Sequence, residues 1–210
     1  MTTLADFIEQ VRTDLADLDE AAWTDAALEQ HLRQALAAVS QAMPRQVKTT
    51  LTFAGNTRDL DVSGLAGRIG VEALEYPAGR FPVSYAPFSA WGDALTLLLD
   101  GPPSAGAPAV VYWTASHTLT DDACSLPPWA ESMLVLGATA FAALEQASAA
   151  TNRVTTGGDS TVDHYLGWGR ERMSQFQQAL GQQRRRRGLL PRRLYTPVAA
   201  AASQAAVRGA

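Results

Sequence analysis

The residues best placed to do chemistry are the only cysteine of the chain, Cys124, and a histidine that precedes it, His117. Two carboxylates, Asp121 and Asp122, lie between them. An imidazole close to a thiol can remove its proton and leave a thiolate nucleophile. A polar strand end followed by a loop that buries a thiol would contain the same residue types, because an unreactive cysteine behaves as a small apolar side chain. We favour this structural interpretation and predict no enzymatic activity.

The other patterns that accompany catalysis or ligand binding are missing from the sequence. The chain has neither the His-Glu-x-x-His pattern of zinc proteases nor the Gly-x-Ser-x-Gly turn of hydrolases. Its only lysine, Lys48, follows Arg45-Gln46-Val47 instead of a glycine-rich loop, so no P-loop is present. A single cysteine excludes an intramolecular disulfide and a cysteine-cluster zinc site. We therefore predict no cofactor.

Acidic residues are frequent in the first thirty positions, where Arg12 is the only basic residue. Asp14, Asp17, Asp19 and Glu20 supply oxygen ligands of the kind that divalent cations take. The stretch lacks the glycine and the ordered ligand spacing of a calcium loop. Its spacing is that of a solvated helix face, and we predict no metal site.

Charge is distributed unevenly along the chain. Residues 1–160 hold 8 basic and 19 acidic side chains, whereas residues 161–210 hold 9 basic and 2 acidic ones. The basic end contains four consecutive arginines, Arg184–Arg187, and continues with Leu189-Leu190-Pro191-Arg192-Arg193-Leu194-Tyr195. An asymmetry of this kind is typical of a terminal interaction segment.

Three interpretations of this basic end remain open. It solubilises the chain, or it binds nucleic-acid phosphates in a salt-dependent manner, or it docks on an acidic protein surface. Guanidinium groups form paired hydrogen bonds with carboxylates, and Leu194 and Tyr195 would add apolar anchors. The apolar residues among the arginines favour docking on a protein.

The apolar pattern predicts a long helix with an antiparallel partner. Leu126 to Ala150 begins with Pro127 and Pro128, which suit the first turn of a helix. Its circumference is apolar almost all round, which is typical of a helix buried on several sides. The partner helix begins near Ser160, where Asp163 gives a capping-box pattern. Five side chains of these two helices are predicted in the core: Leu134, Phe141, Leu144, Tyr165 and Phe176.

Two shorter helices precede a β-rich region. Leu4 to Leu18 has the spacing of an amphipathic helix, and a second helix is capped by Thr24 and ends before Pro44. Residues 45–118 alternate apolar and polar side chains between turn signals, which predicts antiparallel strands. One of these strands is expected at Trp91 to Leu99. Three tryptophans are expected as core anchors: Trp91, Trp113 and Trp129.

The predicted fold class is α+β, with a mainly α-helical four-helix core, an inserted small antiparallel β subdomain and an extended C-terminal tail. Residues 1–44 and 119–183 form the core, residues 45–118 the insertion and residues 184–210 the tail. The sequence has no apolar run long enough to span a membrane. Its acidic N-terminus is unlike a secretory signal, so we expect synthesis in the cytoplasm.

Seven short stretches carry a resemblance that extends over about residues 4–197. They are Ala22-Trp23-Thr24-Asp25, Pro87-Phe88-Ser89-Ala90-Trp91-Gly92-Asp93, Tyr112-Trp113-Thr114-Ala115-Ser116-His117-Thr118-Leu119, Leu126-Pro127-Pro128 to Ala150, Ala149-Ala150-Thr151-Asn152-Arg153, Tyr165-Leu166-Gly167-Trp168-Gly169-Arg170 and Arg192-Arg193-Leu194-Tyr195. In this order the chain resembles the head-to-tail adaptors of tailed double-stranded DNA phages and their prophages, which are also called head completion or connector proteins.

The resemblance implies a structural protein of the virion, made in the host bacterial cytoplasm and without enzymatic activity. Twelve copies of such an adaptor form a ring below the portal protein. The ring extends the DNA channel, lets packaged DNA pass without specific binding, and receives the tail or a stopper protein; no membrane is involved. A C-terminal segment of adaptors grips the portal, and the matching residues here are Arg184, Arg185, Arg186, Arg187, Leu190, Arg192, Arg193, Leu194 and Tyr195.

Two other hypotheses remain at this stage. The main alternative is a regulatory protein that binds nucleic acid through the arginine tail. A small cysteine-dependent enzyme built on His117 and Cys124 is the third. The size of the β insertion, which is comparable in length to the helical core, departs from the adaptor pattern and leaves the partner of the insertion open.

Overall fold

A computed structural model describes residues 2–151 and 161–189 of the chain. Within these ranges four α-helices and six β-strands follow one another in this order: α1 (Leu4–Leu15), α2 (Asp25–Ala42), β1 (Arg45–Thr52), β2 (Asp59–Asp61), β3 (Arg68–Glu75), β4 (Phe88–Trp91), β5 (Ala94–Leu97), β6 (Pro108–Ala115), α3 (Pro128–Thr151) and α4 (Thr161–Leu189). The strands form two small antiparallel sheets, so the predicted α+β fold class is confirmed.

The first two helices begin at the caps that their sequences provide. Thr3 and Asp6 form a reciprocal capping box at the start of α1, with the Thr3 N–H donating to the Asp6 carboxylate at 2.7 Å. Thr24 caps α2, as predicted. The predicted extent of α1 to Leu18 is wrong, because Ala16 adopts a left-handed conformation that ends the helix and leaves Leu18 exposed.

The chain divides into two compact units. The helical unit contains residues 1–45 and 115–188, and the β unit contains residues 46–114 of the described chain. No helix among the described residues combines the length and hydropathy that crossing a membrane requires.

Glycines bring α3 and α4 of the helical unit into close contact. A Cβ atom on Gly137 of α3 would lie 2.7 Å from the ring of Phe176, and one on Gly169 of α4 would lie 3.2 Å from Ala143 and Leu144. The later contact position on α3, Ala143, thus meets the earlier one on α4, Gly169, so the two helices are antiparallel. Close packing of this kind leaves no room for a side chain at Gly137, while a Cβ atom at Gly169 would require its neighbours to shift by a few tenths of an ångström.

The five side chains predicted for the core differ in burial. Leu134 and Phe176 are buried, with 0% and 1% of their surface exposed. Phe141 is half-buried and meets Phe176 edge to face, with 6.2 Å between ring centroids. Tyr165 is also half-buried and meets the ring of Trp23 in the same way, at 6.0 Å. Leu144 is half-buried against Gly169.

The β unit contains two three-stranded sheets, with strand orders β1-β6-β3 and β2-β5-β4. A single strand over Trp91 to Leu99 is wrong, because Trp91 ends β4 and pairs with Ala94 at the start of β5. Gly92 and Asp93 form the two-residue turn between them, and Gly92 has a φ of 56°, which favours glycine. Gly92-Asp93 is a dipeptide typical of two-residue hairpin turns, and the prediction of one continuous strand overlooked it.

Helix α4 is longer than predicted. We expected extended chain from residue 184, whereas α4 continues through Arg184–Arg187 to Leu189. Arginine is a good helix former, and the last-turn arginines Arg186 and Arg187 lie near the negative end of the helix dipole. The capping position predicted at Ser160 lies outside the described residues.

Candidate functional site

His117 holds two segments of the helical unit together. Its backbone N–H donates to the Ser40 hydroxyl of α2 at 2.9 Å, and its Nε2 lies 2.9 Å from the carbonyl oxygen of Met43. Its Nδ1 lies 3.1 Å from the hydroxyl of Ser125, which itself accepts the N–H of Thr118. The Nδ1 atom also lies 3.2 Å from the carbonyl oxygen of Ser125. Both ring nitrogens are thus engaged in structural contacts.

Cys124 lies close to His117 in sequence but is not paired with it. Burial raises the pKa of its thiol, and its Sγ accepts the N–H of Leu126 at 3.5 Å. A raised pKa keeps the thiol protonated, which is the opposite of what a cysteine nucleophile needs. The geometry therefore supports the structural interpretation of this stretch over an active site.

The acidic N-terminal region contains an ion-pair cluster around the buried Arg12 that sequence analysis missed. Arg12 is buried and contacts Asp17 at 3.3 Å and Asp25 at 2.6 Å, while also donating to the Trp23 carbonyl. The hydrogen bond to Asp25 is the main cause of the raised pKa of Arg12. The signal in the sequence was the single basic residue next to Val11 on the apolar stripe. The cluster joins the end of α1 to the start of α2.

No group of histidine, cysteine or acidic side chains suited to a metal ion occurs in the described ranges 2–151 and 161–189. Asp17, one of the four carboxylates weighed as metal ligands, accepts three backbone N–H groups, from Ala21, Ala22 and Trp23. Its oxygens are thus occupied by the chain that connects α1 to α2.

The predicted portal-binding residues fall in two groups. Arg184–Arg187 lie at the end of α4 and are all exposed. Arg184, Arg185 and Arg186 form no ion pair with any residue that the structure describes. The second group lies outside the described residues: Leu190, Arg192, Arg193, Leu194 and Tyr195.

The register between α3 and α4 shows where the arginines lie within the helical unit. Phe176 is beside Gly137, and Gly169 is beside Ala143. With the same rise per residue in both helices, residue 184 falls opposite the first turn of α3, which begins at Pro128. The following arginines extend past this end of α3. Their side chains are exposed, so the end of α4 presents a basic surface to solvent, where like charges repel one another.

The β unit exposes large apolar side chains. Phe81 is 97% exposed and Trp91, at the end of β4, is 88% exposed; Leu98 is more than half exposed. The expectation that Trp91 and Trp129 are core anchors is wrong, because both are exposed. Trp113 is buried, and its ring N–H donates to the Thr49 hydroxyl at 2.9 Å. Exposed tryptophan is enriched where proteins bind other proteins.

No protein-family model matches the chain, and no curated protein matches it significantly. Three solved chains from gene transfer agent particles are similar over most of its length. A chain from the neck of an empty particle, computed with C6 symmetry, is 18% identical, with 77% of this chain and 87% of that chain covered and a TM-score of 0.31. A chain from the virion of the native particle is 20% identical, with 77% and 87% covered and a TM-score of 0.29.

The third chain comes from the neck of the native particle, computed with C12 symmetry. It is 18% identical, with 75% of this chain and 90% of that chain covered and a TM-score of 0.28. Identities and TM-scores of this size do not show a common family.

Proposed function

We propose that this chain is a structural head-to-tail adaptor of a phage-like virion. About twelve copies form a closed ring below the portal protein, extend the DNA channel and provide the attachment surface for the tail or a stopper protein. The observation that carries the proposal is the exposed arginine end of α4, which projects past the start of α3. The proposal agrees with the origin of the three similar chains in phage-like particles, but does not rest on them.

The basic end is the portal-binding surface in this proposal. Arg184–Arg187 offer guanidinium groups to carboxylates on the portal, and each pair gains a charge-assisted hydrogen bond. Leu190, Leu194 and Tyr195 follow within a few residues and supply apolar contact area. Arg192 and Arg193 add further charge between these anchors.

The tail or stopper protein meets the β unit in this proposal. Phe81, Trp91 and Leu98 expose apolar surface that this unit does not bury itself. An exposed Trp on a hairpin, held in place by the turn at Gly92, offers a large and rigid contact area at a low cost in side-chain entropy.

DNA passes through the ring without specific binding. Residues 1–160 carry 19 acidic against 8 basic side chains, and surfaces of like charge repel the DNA backbone. The basic residues that would attract phosphate are concentrated in residues 161–210 and are engaged by the portal.

The test is the mass of the purified protein, alone and mixed with the portal encoded beside it. The full chain is compared with a chain shortened at residue 183 and with variants in which Arg184–Arg187 are replaced by Lys or by Gln. We expect a portal complex for the full chain, a weakened one for Lys, which keeps charge but loses the paired geometry of Arg, a weaker one still for Gln, and none for the shortened chain. A full portal complex without residues 184–210 would contradict the proposal.

The same samples test the nucleic-acid-binding alternative. A regulator that uses Arg184–Arg187 on phosphate binds DNA tightly, and its affinity falls steeply with salt. The adaptor is expected to show little DNA binding at physiological salt. A monomer that ignores the portal but is retained by DNA would favour the regulator.

A further inference from the structure

The helical unit has an open groove between α1 and α4. Its volume is about 980 Å³, and its lining residues come from α1, α3 and α4. Asp6, Glu9 and Asp14 of α1 contribute carboxylates. The half-buried Leu136 of α3 contributes apolar surface, whereas Met133 of the same helix is only 7% exposed. We call this region the acidic groove. The groove combines apolar surface with carboxylates, and a segment with both basic and apolar groups would complement it.

Two carboxylates of the acidic groove are available to a partner. Asp6 is used at the α1 cap, where hydrogen bonds from Thr3 lower its pKa. Glu9 and Asp14 are exposed, and neither is in an ion pair within the part of the chain that the structure describes. Arg172, on the opposite wall, places its guanidinium over the ring of Trp168, 5.0 Å from the centroid.

The basic end of α4 complements this groove in charge but cannot enter the groove of its own chain. Arg172, Gln175 and Ala179 of α4 line the groove, and Arg184–Arg186 follow on the same continuous helix. A straight helix cannot fold back on itself, so these arginines point past the groove that their own helix lines. Another copy of the chain faces no such restriction.

We propose that the acidic groove of one copy binds Arg184–Arg186 of the next copy. Guanidinium groups pair with Glu9 and Asp14, while the aliphatic parts of the arginine side chains cover the half-buried Leu136. Groove and basic end are different surfaces of one chain, so the contact is head-to-tail and closes into a ring when the rotation allows.

This inference deepens the proposed function, because it names the contact that forms the ring. It gives Arg184–Arg186 a contact within the ring, so the portal contact proposed above rests mainly on the residues that follow Leu189 in the sequence. The Gln variant described there loses the ring contact and keeps those residues.

The test reverses charge on each side of the contact in the full chain. The groove variant carries Glu9→Arg and Asp14→Arg, and the helix-end variant carries Arg185→Glu and Arg186→Glu. Each variant alone is expected to self-associate at least about tenfold more weakly than the wild type. An equal mixture of the two variants is expected to recover the wild-type mass. In a ring where the variants alternate, the acidic end of one variant meets the basic groove of the other, and the basic end meets the acidic groove.

Matched controls separate this contact from net charge. Asp121→Arg with Asp122→Arg makes the same charge change as the groove variant at exposed sites outside the groove. Arg45→Glu with Arg80→Glu does the same for the helix-end variant. Both controls are expected to assemble as the wild type does. Native mass spectrometry reads the assembly, and circular dichroism checks that each variant is folded.

Four outcomes would overturn the inference: a wild-type chain that stays monomeric alone and with the portal, reversed variants that assemble normally, a mixture that does not recover, or controls that fail equally. Dependence of assembly on residues 190–210 instead of Arg185 and Arg186 would assign the groove to the terminal segment. A groove variant that assembles but loses the portal would assign it to the portal. Portal binding is also measured for variants that do not self-associate. A variant that binds the portal as a single chain shows that only the proposed ring contact has failed and not the adaptor function.

Discussion

The centre of the helical unit and the exposed aromatic side chains of the β unit show two opposite placements of large apolar residues. In the helical unit Phe176 is packed so closely that Gly137 has no room for a Cβ atom. In the β unit Phe81 and Trp91 are almost fully exposed, although the same unit buries Phe53 and Trp113. Apolar surface left in water is unfavourable, and large exposed apolar side chains mark sites where other molecules bind. The centre of the helical unit is thus a closely packed core, although Trp129 of the same unit is 59% exposed. The proposal assigns the exposed apolar surface of the β unit to a partner.

The largest effect is expected at the centre of the helical unit. Phe176→Ala should lower the free energy of unfolding by about 3–5 kcal/mol, because it removes a buried ring and leaves a cavity. Phe141→Ala, at the half-buried ring beside it, should cost clearly less. Urea unfolding followed by circular dichroism measures both. Equal losses for the two variants would contradict the packing described for α3 and α4.

A glycine pair tests the close approach of the same two helices. Gly137→Ala should destabilise by about 1–3 kcal/mol, because the new methyl group overlaps the Phe176 ring. Gly167→Ala is the matched control: it lies in α4 with no atom within 4 Å of the new Cβ. That control should stabilise by about 0.4–1 kcal/mol, because alanine has less freedom in the unfolded chain. A destabilised Gly167 variant together with a neutral Gly137 variant would contradict the close approach of α3 and α4 at Gly137.

The exposed aromatic side chains of the β unit should affect binding without affecting folding. Trp91→Ala should change the free energy of unfolding by no more than about 0.5 kcal/mol, and Phe81→Ala likewise. Both should weaken binding of the tail or stopper protein at least about tenfold. Trp113→Ala is the contrast: this variant should unfold more easily, because it loses a buried ring. Unchanged tail binding by both exposed variants would show that another surface is used.

The smallest effect is a pH dependence within the β unit. The Gly79 N–H and the Tyr112 hydroxyl each donate to the Glu75 carboxylate at 2.9 Å, and the Gly79 hydrogen bond is the main cause of its lowered pKa. A lowered folded-state pKa adds stability above the ordinary glutamate value of about 4.3, which is lost as pH falls through the lower value.

Glu75→Gln should therefore be less stable than the wild type at pH 7 by about 1 kcal/mol, with the difference shrinking as the pH approaches 3. Thermal unfolding at both pH values measures this. A constant difference between pH 7 and pH 3 would contradict the role given to the ionised carboxylate.

The sequence predicted helices better than strands, for physical reasons. Thr24 and Pro44 bracket α2 because a cap and a proline act through neighbouring residues alone. The single strand predicted over Trp91 to Leu99 is wrong because the prediction gave no weight to Gly92-Asp93, a dipeptide typical of two-residue hairpin turns. Residue 184 was placed outside α4 because four like charges disfavour a helix, whereas arginine's helix propensity and the negative C-terminal end of the helix dipole favour it.

The candidate site was less predictable because it depends on contacts between distant residues. The sequence singled out Arg184–Arg187 as an interaction surface, but their position past the start of α3 requires the packing of two helices. The acidic groove joins Glu9 of α1 to Met133 of α3, and no local pattern relates these positions. Exposure of Trp91 was missed because a tryptophan in a strand is buried in most sheets.

The most direct test of the adaptor function is the composition of portal vertices purified from particles whose genome encodes this chain. The account predicts that the vertex contains the chain in about as many copies as the portal, between the portal and the tail. It also predicts that the chain is lost from the vertex when residues 184–210 are removed. A complete vertex with a bound tail that lacks this protein would contradict the account.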